Sequence, residues 1–206
     1  MNGNVFACFG YGSLVNRQTL RTDYLACVPA RLRGWRRHWQ SRGTDVQPAS
    51  GQQVALLSVH RHDEFEIDGM LILERIENLA ALDKREERYE RVRIGRDDLV
   101  LPSAEVGIDL PDDLYVYVGR PQPQESEPSM LLQSYLDAVL AGFLNEFGEA
   151  GLDRFFATTV GFDRPLIVDR YAPRYPRAVK LDAEIAAEFD RRLAGAGVFR
   201  NGGNSA

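Results

Sequence analysis

Two short stretches of this 206-residue chain carry residue types that could do chemistry. The first is Gly10-Tyr11-Gly12-Ser13-Leu14, where glycines let several backbone N–H groups turn to one side. If a helix follows, its N-terminus adds partial positive charge, and such a loop can hold a carboxylate or an oxyanion. The same pattern equally describes a plain strand-to-helix turn with no ligand. It is not a nucleotide-binding loop, because no Lys-Ser or Lys-Thr completes a phosphate loop and no GxGxxG is complete.

The second is Glu86. A helix from Glu77 to about Glu90 puts Leu79, Leu82, Glu86 and Tyr89 on one stripe, so this carboxyl group points where the apolar side chains point. Glu87 and Glu90 do not share that stripe. A core-facing carboxylate is costly unless it is partnered or protonated, and either outcome moves its pKa toward the range useful for proton transfer. A simple ion pair with Arg85 or Arg88 at the edge of the stripe is the competing expectation.

The elements that would position these residues follow from periodicity. Val5 to Phe9 is short, apolar and β-prone, and stops at the glycine loop. A short helix or helical turn is expected over Asn16 to Tyr24, and a second β-rich stretch from about Ala30 through Gly34-Trp35-Arg36-Arg37-His38-Trp39. An exposed loop over Ser41 to Gln52 follows. Val54 to Val59 and Ile67 to Leu73 read as two mutually paired strands separated by the charged run His60 to Glu66. Val92 and Ile94 mark a half-buried strand, Leu114 to Val118 another, and Pro121 to Pro128 a linker. Leu131, Tyr135, Val139, Phe143 and Phe147 recur every four residues, a helix with Gly148 as its stop. A second amphipathic helix is expected over Asp182 to Leu193, capped by Asp182. Thr158 to Arg177 should be an irregular wrap, and residues 200–206 a frayed tail. Strands fill the first half and helices the last third, which favours an α+β class in a single domain over 1–206.

Taken in order, several of these segments resemble gamma-glutamylcyclotransferases. Phe9-Gly10-Tyr11-Gly12-Ser13-Leu14 matches their YGSL signature, and Leu82-Asp83-Lys84-Arg85-Glu86 the LDxRE segment of the ChaC-like branch. Gly34-Trp35-Arg36-Arg37-His38-Trp39, Asp68-Gly69-Met70-Leu71 and Tyr115-Val116-Tyr117-Val118-Gly119 are similar to further segments in the same order. The sequence departs from that branch at Asn16, where it usually has Trp, and at Glu87-Arg88, where it has a glycine pair. The resemblance implies a small mixed β-barrel flanked by helices that cyclises a γ-glutamyl amide or peptide, glutathione among them, releasing 5-oxoproline and an amine. It maps the catalytic glutamate onto Glu86 and the substrate loop onto Tyr11, Gly12, Ser13 and Leu14, places Tyr89 and Tyr117 in the pocket lining, and implies neither metal nor organic cofactor. A non-catalytic module that binds a small ligand on the same fold is the alternative.

The remaining features exclude more than they propose. With 25 Lys and Arg against 30 Asp and Glu, the formal charge of −5 offers nothing to nucleic acid or an anionic membrane. No apolar run is long enough to span a bilayer, and the N-terminus has no secretory character, so a cytoplasmic location is expected. Cys8 and Cys27 provide no disulfide framework, and Cys8 reads as a buried apolar residue rather than a nucleophile. His60 and His62 share a strand face without a third ligand, which favours solvent-facing residues over a metal site. Arg170, Arg174 and Arg177 could clamp a distant carboxylate of a peptide-like substrate, with a surface ion-pair cluster as the more ordinary reading.

Overall fold

Two long strands, β2 (Ala26–Ser41) and β3 (Ala55–Arg75), lie antiparallel and form the spine of the main sheet. The computed structural model describes residues 4–20, 23–41, 53–102, 109–121 and 129–200. β1 (Val5–Gly10) pairs antiparallel with the second half of β3, and parallel with β6 (Leu114–Gly119). β4 (Tyr89–Arg93) closes one edge and β5 (Leu99–Val100) the other, in the order β4-β6-β1-β3-β2-β5, with β8 (Thr159–Val160) also on β2. The sheet is therefore mixed and open, a curled half-barrel within the expected α+β class. A second small sheet joins β7 (Leu131–Leu132), β9 (Pro165–Ile167) and β10 (Phe199–Arg200).

The charged run in β3 does not separate two mutually paired strands. Both halves pair with β2, and register slips between Arg33 and Trp35, where Gly34 takes φ 74° and the His62 to Phe65 segment bulges outward. Charge does not break the strand because its side chains have partners: Glu66 pairs with Arg31 and Arg33, and Arg36 stacks on Phe65. The curl brings the first half of β3 against the end of β6, where Gly119 N–H donates to Ser58 Oγ at 2.8 Å.

Helices cover both faces. α2 (Gln133–Ala157) buries Leu136, Val139, Leu140, Phe143, Leu152 and Phe155 against the sheet. Each such side chain contributes about 1.5–3 kcal/mol. Gly148 does interrupt it, at φ 65°, yet the chain resumes helix beyond the kink to Ala157. α3 (Ala183–Gly195) begins as expected, with Asp182 Oδ1 accepting from Ile185 N–H at 2.8 Å, and buries Phe189 and Leu193. On the opposite face Phe6, Cys8, Leu82 and Tyr117 form a separate cluster under the short helix α1 (Leu79–Arg85). After the glycine loop come two 3₁₀ turns, Ser13–Val15 and Arg17–Thr19, the second capped by Asn16 and lying within the span expected to be helical. The expected loop from residue 42 to 52, the linker from 122 to 128 and the tail beyond residue 200 lie outside the described residues.

Candidate active site

Glu86 reaches the interior by a route the periodicity did not show. α1 ends at Arg85, one turn earlier than the stripe implied, because Tyr89 begins β4 and pairs with Gly119. Glu86 is the C-cap, with φ −98° and ψ 28°, and the turn that follows directs the chain back along β6. Its side chain is only 17% exposed. Burial pushes its carboxyl pKa up from the ordinary 4.5, against the opposing pull of Arg85 and Arg177. Arg85 Nε lies 3.1 Å from Glu86 Oε1, so the ion-pair expectation also holds, although that buried N–H is not aligned for a hydrogen bond.

The carboxyl group stands between two hollows. An inner recess of about 50 Å³ is lined by Tyr11, Gly12, Ser13 and Leu14 together with Glu86, Tyr89 and Tyr117. The structure thus brings all seven residues singled out from the sequence to one place. An outer cavity of about 370 Å³ shares Ser13, Glu86, Tyr89 and Tyr135 with the recess. Arginines from two distant segments complete it: Arg85 and Arg88 beside Glu86, Arg174 and Arg177 in the strap between β9 and α3.

The loop is held from below. Tyr11 Oη donates to the Tyr117 carbonyl at 2.6 Å, and Tyr89 Oη to the Leu57 carbonyl at 3.1 Å. Tyr117 turns its own hydroxyl to Asp83 Oδ1 at 2.7 Å, so that group ties β6 to α1. Gly10 is required by close approach, and Gly12 has little room to spare. A Cβ at Gly10 would fall 2.6 Å from Leu14 Cβ, and one at Gly12 would fall 3.0 Å from Tyr135 Oη.

Two residues at the site escaped the sequence. Tyr135, on the first turn of α2, borders both hollows, and the Ser13 amide donates to its hydroxyl. Arg37 is fully buried, donates to the Tyr11 carbonyl at 2.9 Å and Thr158 Oγ1 at 2.8 Å, and also to the Asp68 carbonyl. Desolvation lowers its pKa to about 9, which still leaves it charged at neutral pH. Alternation on β2 could have flagged Arg37 as inward-facing, since Trp35 and Trp39 on the same face are both buried.

Cys8 also lines the inner recess, and the histidines lie elsewhere. Cys8 is buried and its thiol pKa is raised, first by burial, which disfavours the thiolate a nucleophile needs. His60 Nδ1 sits 3.0 Å from His38 Nδ1, and among the described residues no cluster of three or more His, Cys, Asp or Glu could hold a metal ion. No helix among the described residues is long and apolar enough to cross a membrane.

Comparison with solved structures identifies the fold. The chain is similar to a gamma-glutamyl cyclotransferase over 91% of its length and 99% of that chain, with a TM-score of 0.52 and 14% identity. An uncharacterised protein from Homo sapiens matches with the same coverage, TM-score and identity. A gamma-glutamyl cyclotransferase from yeast, specific to glutathione, matches over 98% of this chain and 100% of its own, with a TM-score of 0.50 and 14% identity. No family model matches the sequence, and comparison with curated proteins gives no match. The fold is thus that of the gamma-glutamyl cyclotransferases.

Proposed function

We propose that the protein cyclises the γ-glutamyl group of a γ-glutamyl amide or peptide, with Glu86 as the proton carrier. The observation that carries this reading is the convergence of a largely buried carboxyl group, its pKa raised by burial, with the Tyr11 to Leu14 loop around one recess. The substrate's α-amine arrives as an ammonium ion, and Glu86 accepts a proton from it. The freed nitrogen attacks the γ-carbonyl carbon, closing a five-membered ring and placing negative charge on the oxygen. Glu86 then returns the proton to the departing nitrogen as the C–N bond breaks, and the ring nitrogen sheds its second proton to the released amine, giving 5-oxoproline and an ammonium ion without net consumption of water. The protein's main task is to fold an extended chain onto itself and hold it, a proximity effect. Backbone N–H groups of Gly12 to Leu14 would anchor the α-carboxylate or the developing oxyanion. No step needs a cofactor. A raised pKa suits both halves of the proton cycle, since a group that binds its proton too weakly cannot give it back at the right moment to the amine.

The Arg85–Glu86 contact favours a second reading, in which the same pocket holds a γ-glutamyl ligand without turnover. The two are separated by incubating the protein with γ-glutamyl peptides and γ-glutamylamines and assaying 5-oxoproline. Turnover that falls about 10²- to 10⁴-fold in Glu86→Gln is expected. Binding by calorimetry with no product would establish the non-catalytic reading.

A further inference from the structure

Arg37 carries its charge in the interior without a counter-ion. It is fully buried, and among the described residues no carboxylate lies within ion-pair distance of its guanidinium. The Asp68 carboxylate acts on it only from further off and is itself engaged by Arg154 at 2.6 Å. Three neutral oxygens accept instead. Nε donates to the Tyr11 carbonyl at 2.9 Å, one terminal nitrogen to Thr158 Oγ1 at 2.8 Å and the other to the Asp68 carbonyl. Phe143 and Phe155 of α2 lie across the group, with ring centroids 4.9 and 5.2 Å from its Cζ. Burying an ion without a counter-ion costs free energy that two aromatic faces offset only in part. What the charge does is therefore set by the oxygens it meets.

The acceptor on Nε is one end of a peptide unit in the glycine loop. No peptide bond among the described residues is cis, so the Gly12 N–H points opposite to the Tyr11 carbonyl, away from Arg37. Gly12 borders the inner recess and Arg37 does not. Among the described residues the Gly12 N–H donates to no protein group, while the next N–H, that of Ser13, is taken by Tyr135 Oη. The two following carbonyls meet neutral donors. That of Gly12 accepts from Val15 N–H at 3.0 Å, and that of Ser13 from Asn16 N–H at 3.1 Å and the Thr19 hydroxyl at 2.6 Å. Of these three peptide units, Tyr11–Gly12 alone has a cation at its carbonyl end and an uncommitted N–H at the other. A positive charge on a carbonyl oxygen polarises the amide and makes its N–H a stronger donor. The sheet holds the guanidinium in place, because Arg37 pairs with Val59 on β3 and with Thr159 on β8.

We infer that Arg37 is a positioning residue for the cyclisation: from behind the loop it fixes the Tyr11–Gly12 peptide and strengthens the Gly12 N–H as donor to a negatively charged oxygen of the substrate. The inference rests on the proposed cyclisation and adds a charge that acts on the substrate without touching it.

Amide NMR of Glu86→Gln, which binds substrate without turning it over, reads the donor directly. On adding γ-glutamylglycine the Gly12 amide proton is expected to move downfield further than those of Ser13 and Leu14, and an unmoved Gly12 signal overturns the inference. In kinetics with the same compound, Arg37→Met should lower kcat/KM about 10- to 100-fold at a temperature where the variant is folded by near-UV circular dichroism. Arg37→Lys should recover part of that loss, since it keeps a charge at the Tyr11 carbonyl. Thr158→Val separates charge from scaffolding. It deletes another of Arg37's bonds and leaves the loop contact, so kcat/KM is expected to stay within about 3-fold of the native value despite a loss of stability. Activity that falls in proportion to stability across all three variants, or Arg37→Lys no better than Arg37→Met, reduces Arg37 to scaffolding and leaves cyclisation standing. If Arg37→Met does not fold, the Gly12 signal decides alone. If the native protein forms no 5-oxoproline, the cyclisation reading fails and calorimetry with γ-glutamylglycine decides the role of Arg37. Binding about 10-fold weaker in Arg37→Met would uphold it, and equal or absent binding would end it.

Discussion

The two hollows that meet at Glu86 are built in opposite ways. Around the inner recess the tyrosine hydroxyls are committed to the protein itself, Tyr11 to the Tyr117 carbonyl, Tyr89 to Leu57 and Tyr117 to Asp83. Around the outer cavity, among the described residues, Arg88, Arg174 and Arg177 have no carboxylate within ion-pair distance, though Arg177 pulls on Glu86, and the Tyr175 hydroxyl has no hydrogen-bond partner. A wall whose polar groups are internally satisfied keeps its shape and leaves only selected groups to the ligand, which suits a reaction that needs fixed geometry. A wall with unmatched charge instead selects among ligands by electrostatics. Under the proposed function, the division would put reaction on one side of the carboxyl group and discrimination on the other.

Damage to the inner wall should therefore remove turnover for every substrate alike. Arg37→Met deletes the donor to the Tyr11, Asp68 and Thr158 oxygens and leaves buried acceptors unsatisfied. A loss of about 3 kcal/mol of stability, read from denaturant unfolding, is expected, with turnover of all γ-glutamyl compounds falling together. Gly10→Ala places a Cβ against Leu14 Cβ and must displace the loop, at about 1–3 kcal/mol, again with no change in substrate preference. Tyr117→Phe removes one hydrogen bond to Asp83, and about 1 kcal/mol of stability with a small change in turnover would be its signature. A large loss of turnover in Tyr117→Phe without loss of stability would mean that this hydroxyl faces substrate and that the two walls are less distinct.

The sequence made the inner wall legible and the outer one ambiguous, for a physical reason. Glycines at Gly10 and Gly12 mark a local backbone demand, and Glu86 among Leu79, Leu82 and Tyr89 marks a local violation of hydrophobic patterning. Both signals sit within a few residues. The details were still misread, since α1 stops at Arg85 and Glu86 turns inward through a cap instead of a helical stripe. Long-range matches leave no such trace. Arg170 and Arg174 are four residues apart in the same strap, yet one meets Asp137 on α2 and the other lines a cavity. Arg37 and Tyr135 become part of the site only because β2 and α2 pass beneath the loop. Likewise, the charged stretch of β3 stays in the sheet because Arg31 and Arg33 on β2 meet it across the strands.

The pH dependence of kcat/KM for a γ-glutamyl substrate addresses the central claim, that buried Glu86 carries the proton. Burial raises the carboxyl pKa, so the group becomes a base only above the ordinary 4.5. Turnover should then be low at acidic pH and rise with pH through a midpoint displaced upward from that value, with the limb absent from whatever residual rate Glu86→Gln retains. A rate that is flat through the acidic range, or a limb that persists unchanged in Glu86→Gln, would contradict the account.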